Sequence, residues 1–163
     1  TLAELRAAHG HKEPYNVRYW GIGNESWGCG GNFQPEEYSV EYRRFAEWVP
    51  RFGTNLSFIG AGPNGGDLNW SRRFFEKLAA KGGFGRMWGW ALHHYSSNVS
   101  AGLTTDWVLG KGAATGYPEL EWYELLREAG KMDALIADHW IVMGEYDRRR
   151  QVKLVVDEWG SWY

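Results

Sequence analysis

The sequence predicts an α/β chain of parallel strand–helix units, and three observations carry that prediction. Four short runs of β-branched and aromatic residues alternate with three stretches of helical periodicity. No two strand-like runs are joined by a tight hairpin signal, so the strands pair in parallel beneath helical crossovers. No low-complexity segment or domain linker interrupts the 163 residues, which therefore form one architectural piece. A barrel and a doubly wound sheet both fit this pattern.

The elements follow in order. Residues Asn16 to Gly23 are β-branched and aromatic and end in glycines, which reads as a strand followed by a glycine-rich loop through Gly31. Pro35-Glu36-Glu37 opens a helix to about Phe52, with Tyr38, Tyr42, Phe45 and Val49 at helical spacing. Thr54 to Ala61 is the second strand, Gly62 to Gly66 is turn chemistry, and Asp67 to Ala80 carries Leu68, Phe74, Phe75 and Leu78 on one helical stripe. The third strand runs from about Arg86 to His93, and a long loop from Ser96 to Tyr117 follows. Helical spacing returns from Pro118 to about Tyr146, a charged hinge spans Asp147 to Gln151, and Val152 to Asp157 forms the fourth strand.

Composition narrows the function. A formal charge of −2 with interspersed signs leaves no basic stripe for a phosphate backbone, so nucleic acid is not an expected partner. No apolar run approaches the roughly 20 residues of a membrane span, so no membrane partner is expected. One cysteine, Cys29, rules out an internal disulfide framework. Eleven tryptophans and an aromatic content of 17% suit sugar rings, which are apolar on one face and hydroxylated around the rim. The Gly21-Ile22-Gly23 stretch lacks the third glycine and the helix of a dinucleotide fingerprint. Serine-hydrolase elbows, Walker loops and Cys-x-x-Cys pairs do not occur, and no cofactor is expected.

In a barrel the chemistry sits where strands end. The first strand ends at Asn24-Glu25 and the fourth at Glu158, about three strand–helix units apart. Two such glutamates suit a glycosidase: one protonates the departing oxygen while the other attacks the anomeric carbon, about 5–5.5 Å away in retaining enzymes. Alternation along the third strand places Gly89, Ala91, His93 and Tyr95 on one face and Trp88, Trp90, Leu92 and His94 on the other. The bulky set is expected against the helices, which brings His93 and Tyr95 to the pocket of the two glutamates. His93 and His94 leave the strand on opposite sides and cannot chelate one metal ion together, so no metal is expected. Cys29 has no base at recognisable spacing and reads as structural.

The segment Tyr19-Trp20-Gly21-Ile22-Gly23-Asn24-Glu25-Ser26-Trp27-Gly28-Cys29-Gly30-Gly31 resembles the fourth-strand signature of glycoside hydrolase family 51, the α-L-arabinofuranosidases of the large retaining (β/α)8 clan. Asp157-Glu158-Trp159-Gly160-Ser161-Trp162-Tyr163 resembles that family's seventh-strand signature, and Leu92-His93-His94-Tyr95 its sixth-strand element. The resemblance implies a partial TIM barrel, strands four to seven, with residues 1–163 an internal part of one catalytic domain whose other strands and β-sandwich lie outside this chain. It also implies Glu25 as acid/base, Glu158 as nucleophile, Asn24 on the sugar 2-hydroxyl, and His93 and Tyr95 beside the nucleophile, with Trp27 of the same signature among the substrate-binding residues. The implied partner is an arabinose-containing glycan. Many relatives are hexamers, so a homo-oligomer is the expectation for the complete protein, and a cytoplasmic address is slightly favoured over secretion. Alternatives are another retaining clan member, a β-xylosidase or endo-β-glucanase, and a non-catalytic carbohydrate-binding protein. By itself the chain, an open half-barrel, is expected to be inactive.

Overall fold

The computed structural model describes residues 1–98 and 111–163. Most of the expected Ser96–Tyr117 loop lies outside the described residues. The element order is α1 (Leu2–Ala8), β1 (Tyr19–Ile22), α2 (Pro35–Trp48), β2 (Ser57–Gly60), α3 (Leu68–Ala79), β3 (Met87–Ser96), α4 (Glu119–Ala129), α5 (Met132–Tyr146) and β4 (Lys153–Ser161). Among the described residues, no helix is long and apolar enough to cross a membrane.

The four strands form one parallel sheet in the order β1-β2-β3-β4. Successive helices pack side by side, α2 on α3 and α3 on α5. A doubly wound sheet reverses its strand order and covers both faces with helices. Sequential strands with neighbouring helices on one face are the repeat of a (β/α)8 barrel, which resolves the choice left open by periodicity.

Local chemistry explains where each element stops. Helix α2 begins at Pro35 in a capping box, where Glu37 Oε2 accepts from the Gln34 N–H at 2.8 Å. It was expected to reach Phe52 but ends at Trp48, because Pro50 forces Val49 into extended backbone (φ −64°, ψ 120°). Helix α3 starts where Asp67 Oδ1 accepts from Trp70 N at 3.0 Å. The helical stretch expected from Pro118 to Tyr146 is two helices, broken at Gly130-Lys131, where Lys131 N bonds Glu128 O in a tighter turn. The short helix α1, unassigned from periodicity, is nucleated by a Thr1/Glu4 capping box.

The core lies between sheet and helices. Tyr38, Tyr42 and Ala46 of α2 and Phe74, Phe75 and Leu78 of α3 bury against Phe58, Met87 and Trp90. The Trp90 ring sits 4.2 Å from Phe74 and 5.1 Å from Phe75, and its Nε1–H donates to Ser71 Oγ at 3.1 Å. On the opposite face, a Cβ at Gly89 would lie 2.8 Å from Val155 Cγ2 and 3.2 Å from Ile59 Cγ1. Glycine there lets the two branched side chains close over the middle strand, as the interior layer of a barrel requires.

The expected alternation of β3 holds from Gly89 onward and fails at Trp88. Phe58 pairs with Met87 and Ile59 with Gly89, so Trp88 is a bulged residue. Met87 takes the helix-facing position, and Trp88 instead lies against Tyr19, ring centroids 4.5 Å apart.

Beside β1 runs a cleft of about 800 Å³ lined by Trp20, Ile22, Phe33, Tyr42 and Phe45 among others, and it contains neither Glu25 nor Glu158.

Candidate active site

Glu25 stands just beyond β1 in a tightly wound loop. The Tyr38 hydroxyl accepts from Ala61 N at 2.6 Å and donates to Ile22 O, tying the ends of β1 and β2 to α2. Beyond that anchor, Gly23 (φ +87°) turns the chain and Glu25 itself adopts φ +41°. A left-handed non-glycine residue costs on the order of 1–3 kcal/mol, and such strain gathers at functional sites. Here it is held by two bonds to the Glu25 carbonyl, from Gly28 N at 2.8 Å and Gly30 N at 3.1 Å. The winding needs a glycine at position 30, since a Cβ there would fall 1.6 Å from Asn24 O.

Glu158 reaches the same place by a second bulge. Ala91 pairs with Val155 and Leu92 with Val156, but His93 pairs with Glu158, leaving Asp157 as the extra residue. Strict alternation from Val155 would have turned Glu158 toward the helices. The bulge turns it to the His93 face instead.

The result is a cluster centred on His93, which is 9% exposed. Its Nδ1 lies 3.1 Å from Glu25 Oε1 and 3.5 Å from Glu158 Oε2, and its Nε2 lies 3.3 Å from Asp157 Oδ1. The hydrogen bond to Asp157, then that to Glu25 and the charge of Glu158, outweigh desolvation and push the imidazole up to about 9. Three carboxylates around one ring favour its protonated form. Tyr95 donates to Glu158 Oε1 at 2.8 Å, which raises the phenol and fixes the carboxylate. The Tyr95 ring is held in turn by an edge contact with Trp162, centroids 4.5 Å apart, and Trp162 N donates to Ser96 O.

One oxygen from each glutamate and one ring nitrogen of His93 lie within 4.8 Å of one another, a spacing that also suits a metal ion. In the structure the His93 Nδ1 side is taken up by the two carboxylates themselves, Glu25 Oε1 at 3.1 Å and Glu158 Oε2 at 3.5 Å. His94 turns the other way, its Nε2 3.0 Å from Glu128 O of α4. The two histidines thus leave the strand on opposite sides, as the alternation requires.

Of the remaining expected residues, Asn24 is exposed at the turn. Trp27 is half-buried against the core and borders a polar recess of about 320 Å³ with Asn64, Asp67 and Arg73. Two contacts escaped the sequence reading. Asp157 was hidden by the bulge, which no periodicity reveals. Cys29 donates Sγ–H to Glu25 Oε2 at 3.4 Å, and that bond raises the thiol. The signal for it was the spacing of four residues from a glutamate in a glycine-rich turn.

Comparison with known proteins bears on the family and the fold. Residues 1–105 match the family model described as the alpha-L-arabinofuranosidase 1 domain. An intracellular exo-alpha-L-arabinofuranosidase of Bacteroides ovatus is 31% identical over 163 residues, covering 99% of this chain and 29% of its own length. Alpha-L-arabinofuranosidase C of Emericella nidulans is 37% identical over 65 residues, 39% of this chain and 13% of that protein. The crystal structure of the GH51 arabinofuranosidase from Xanthomonas axonopodis pv. citri superposes with a TM-score of 0.79 at 32% identity, over 100% of this chain and 31% of that one. A family 51 enzyme of Bifidobacterium longum shares the fold, with a TM-score of 0.68 at 23% identity over 99% of this chain and 30% of that one. The chain thus spans about 30% of the length of these full-length matches, and its strands are part of their TIM barrel. It belongs to the α-L-arabinofuranosidases of glycoside hydrolase family 51.

Proposed function

We propose that Glu25 and Glu158 are the acid/base and the nucleophile of a retaining enzyme that removes terminal α-L-arabinofuranosyl residues from arabinose-containing glycans. The observation that carries this reading is the close approach of the two carboxylates, one oxygen of each lying within 4.8 Å of the other beside His93, which favours the closer of the two spacings that glycosidases use. Retaining glycosidases hold the pair about 5–5.5 Å apart, whereas inverting enzymes need about 6.5–9.5 Å to admit a water. In the first step Glu158 attacks the anomeric carbon as Glu25 delivers its proton to the leaving oxygen. In the second, Glu25 takes a proton from the water that releases the sugar. Tyr95 holds Oε1 of Glu158, His93 spans the pair, and Asn24 and Trp27 contact the sugar from the β1 loop.

The test uses the complete enzyme carrying this chain, since four strands supply only part of a pocket. p-Nitrophenyl α-L-arabinofuranoside is compared with the β-D-xylopyranoside, in wild type and in Glu25→Ala. The expected result is preference for the arabinofuranoside, with Glu25→Ala slowest on poor leaving groups and partly rescued by azide on activated ones. Equal loss on all leaving groups without rescue removes the acid/base assignment. Preference for the xyloside selects another clan member, and binding without turnover selects a carbohydrate-binding protein.

A further inference from the structure

The bulge in β4 does more than turn Glu158 inward. It lets two successive residues of one strand reach one imidazole: Asp157 Oδ1 at 3.3 Å from Nε2, and Glu158 Oε2 at 3.5 Å from Nδ1. The groups facing His93 are Glu25 from the β1 loop, Asp157 and Glu158 from β4, Tyr95 along β3, and the uncharged Asn64, whose backbone bridges to His93 at the end of β2. A ring with carboxylate acceptors at both nitrogens satisfies them only if both nitrogens carry protons. Glu25 and Glu158 share the Nδ1 side, so among the described residues Asp157 alone holds the Nε2 side.

We propose that Asp157 is a positioning residue for the proposed acid/base and nucleophile: by accepting the Nε2–H of His93 it fixes the ring so that Nδ1–H stays between Glu25 and Glu158. The inference rests on the reading of those two glutamates given above. Asp157 acts through His93, with its Oδ1 3.3 Å from Nε2 of the ring. Its own side chain is 39% exposed, so an isosteric change leaves the packing in place. With the Asp157 charge removed, His93 loses its proton at lower pH, and the Nδ1 bridge opens.

The experiment is the pH dependence of kcat/KM for Asp157→Asn in the complete enzyme, together with 15N NMR of the His93 ring in wild type and variant. Removing one opposite charge at this range shifts a titration by roughly 1–3 units. The expected result is an alkaline limb displaced downward by about one unit or more, with kcat/KM near wild type on the acidic plateau and KM little changed throughout. The NMR arm reads the ring without activity: both nitrogens are protonated at pH 7.5 in wild type, and Asp157→Asn lowers that titration. A uniform rate loss with unmoved limbs, or no loss, overturns the proposal. So does a singly protonated His93 ring in wild type at pH 7.5, a result that needs no variant to fold. If NMR behaves as expected but wild type hydrolyses no arabinofuranoside, the positioning of His93 stands and the reading of the glutamates fails.

Discussion

Gly28 and Gly30 stand two residues apart in the loop that holds Glu25, and alanine should be tolerated at the first and costly at the second. At Gly30 a new Cβ would meet Asn24 O at 1.6 Å, where real Cβ atoms keep at least 3.0 Å, so backbone must move by about 1.4 Å. The atom that blocks it is the carbonyl immediately before Glu25, and the Gly30 N–H is one of two donors holding Glu25 at φ +41°. The displacement therefore falls on Glu25 itself, the proposed acid/base. A misplacement of about 1 Å at a reacting group costs roughly 10²-fold in rate. At Gly28 the nearest atom to a new Cβ is Glu25 O at 3.9 Å, which is ordinary contact. In the complete enzyme, then, Gly30→Ala should lower kcat on an unactivated arabinofuranoside by about 10²-fold, with a smaller loss on activated leaving groups that need little protonation. Gly28→Ala should stay near wild type. The assay is steady-state kinetics on aryl arabinofuranosides of graded leaving-group pKa. Equal activity of the two variants, or a Gly30→Ala loss independent of leaving group, would refute the argument that this close approach places Glu25.

Two histidines should shape the pH dependence of stability from opposite sides. His139 is fully buried, with Nδ1 3.3 Å from Ser71 Oγ and Nε2 2.8 Å from Gly65 O, and burial holds its pKa below the ordinary value. Its contribution is complete above the unfolded pKa of about 6.5 and is lost as pH falls below it, so melting scans of His139→Gln should show a flatter acid side than wild type. His93, pushed up to about 9, contributes fully below about 6.5, and that contribution is lost as pH rises through its folded value; His93→Gln should flatten the alkaline side. Unchanged slopes in either variant would contradict these environments. Phe74 is fully buried against Tyr38, Tyr42, Phe75 and Trp90, and Phe74→Ala should cost about 3–5 kcal/mol by denaturant titration. A cost below about 1 kcal/mol would mean that the helix–sheet core is not assembled around this ring.

Much of this fold is written in local chemistry that periodicity can read. The period-2 pattern from Gly89 to Tyr95 sorts Trp90 and Leu92 to the helices and His93 and Tyr95 to the carboxylates, and the structure keeps that sorting. Pro50 and the Thr1/Glu4 pair are local signals too, a stop and a start that depend on one or two residues each, but periodicity passed over both: the expected α2 ran on to Phe52 and α1 was not assigned. The bulges at Trp88 and Asp157 were not legible. A bulge is an agreement between two strands about register, and neither strand states it alone. The sequence pointed to Glu158 by its place at a strand end, although simple alternation along β4 would have turned it to the face opposite His93. The cluster of Glu25, Asp157 and Glu158 around one imidazole is likewise a property of three segments brought together, and Asp157 entered it unannounced.

The most direct test of the central claim is to treat the complete enzyme with a 2-deoxy-2-fluoro-α-L-arabinofuranosyl donor bearing an activated leaving group, then map the labelled peptide by mass spectrometry. The account predicts a covalent arabinofuranosyl adduct on Glu158, accumulating with loss of activity. An adduct on another residue, or turnover to an inverted product with no adduct at all, would contradict it.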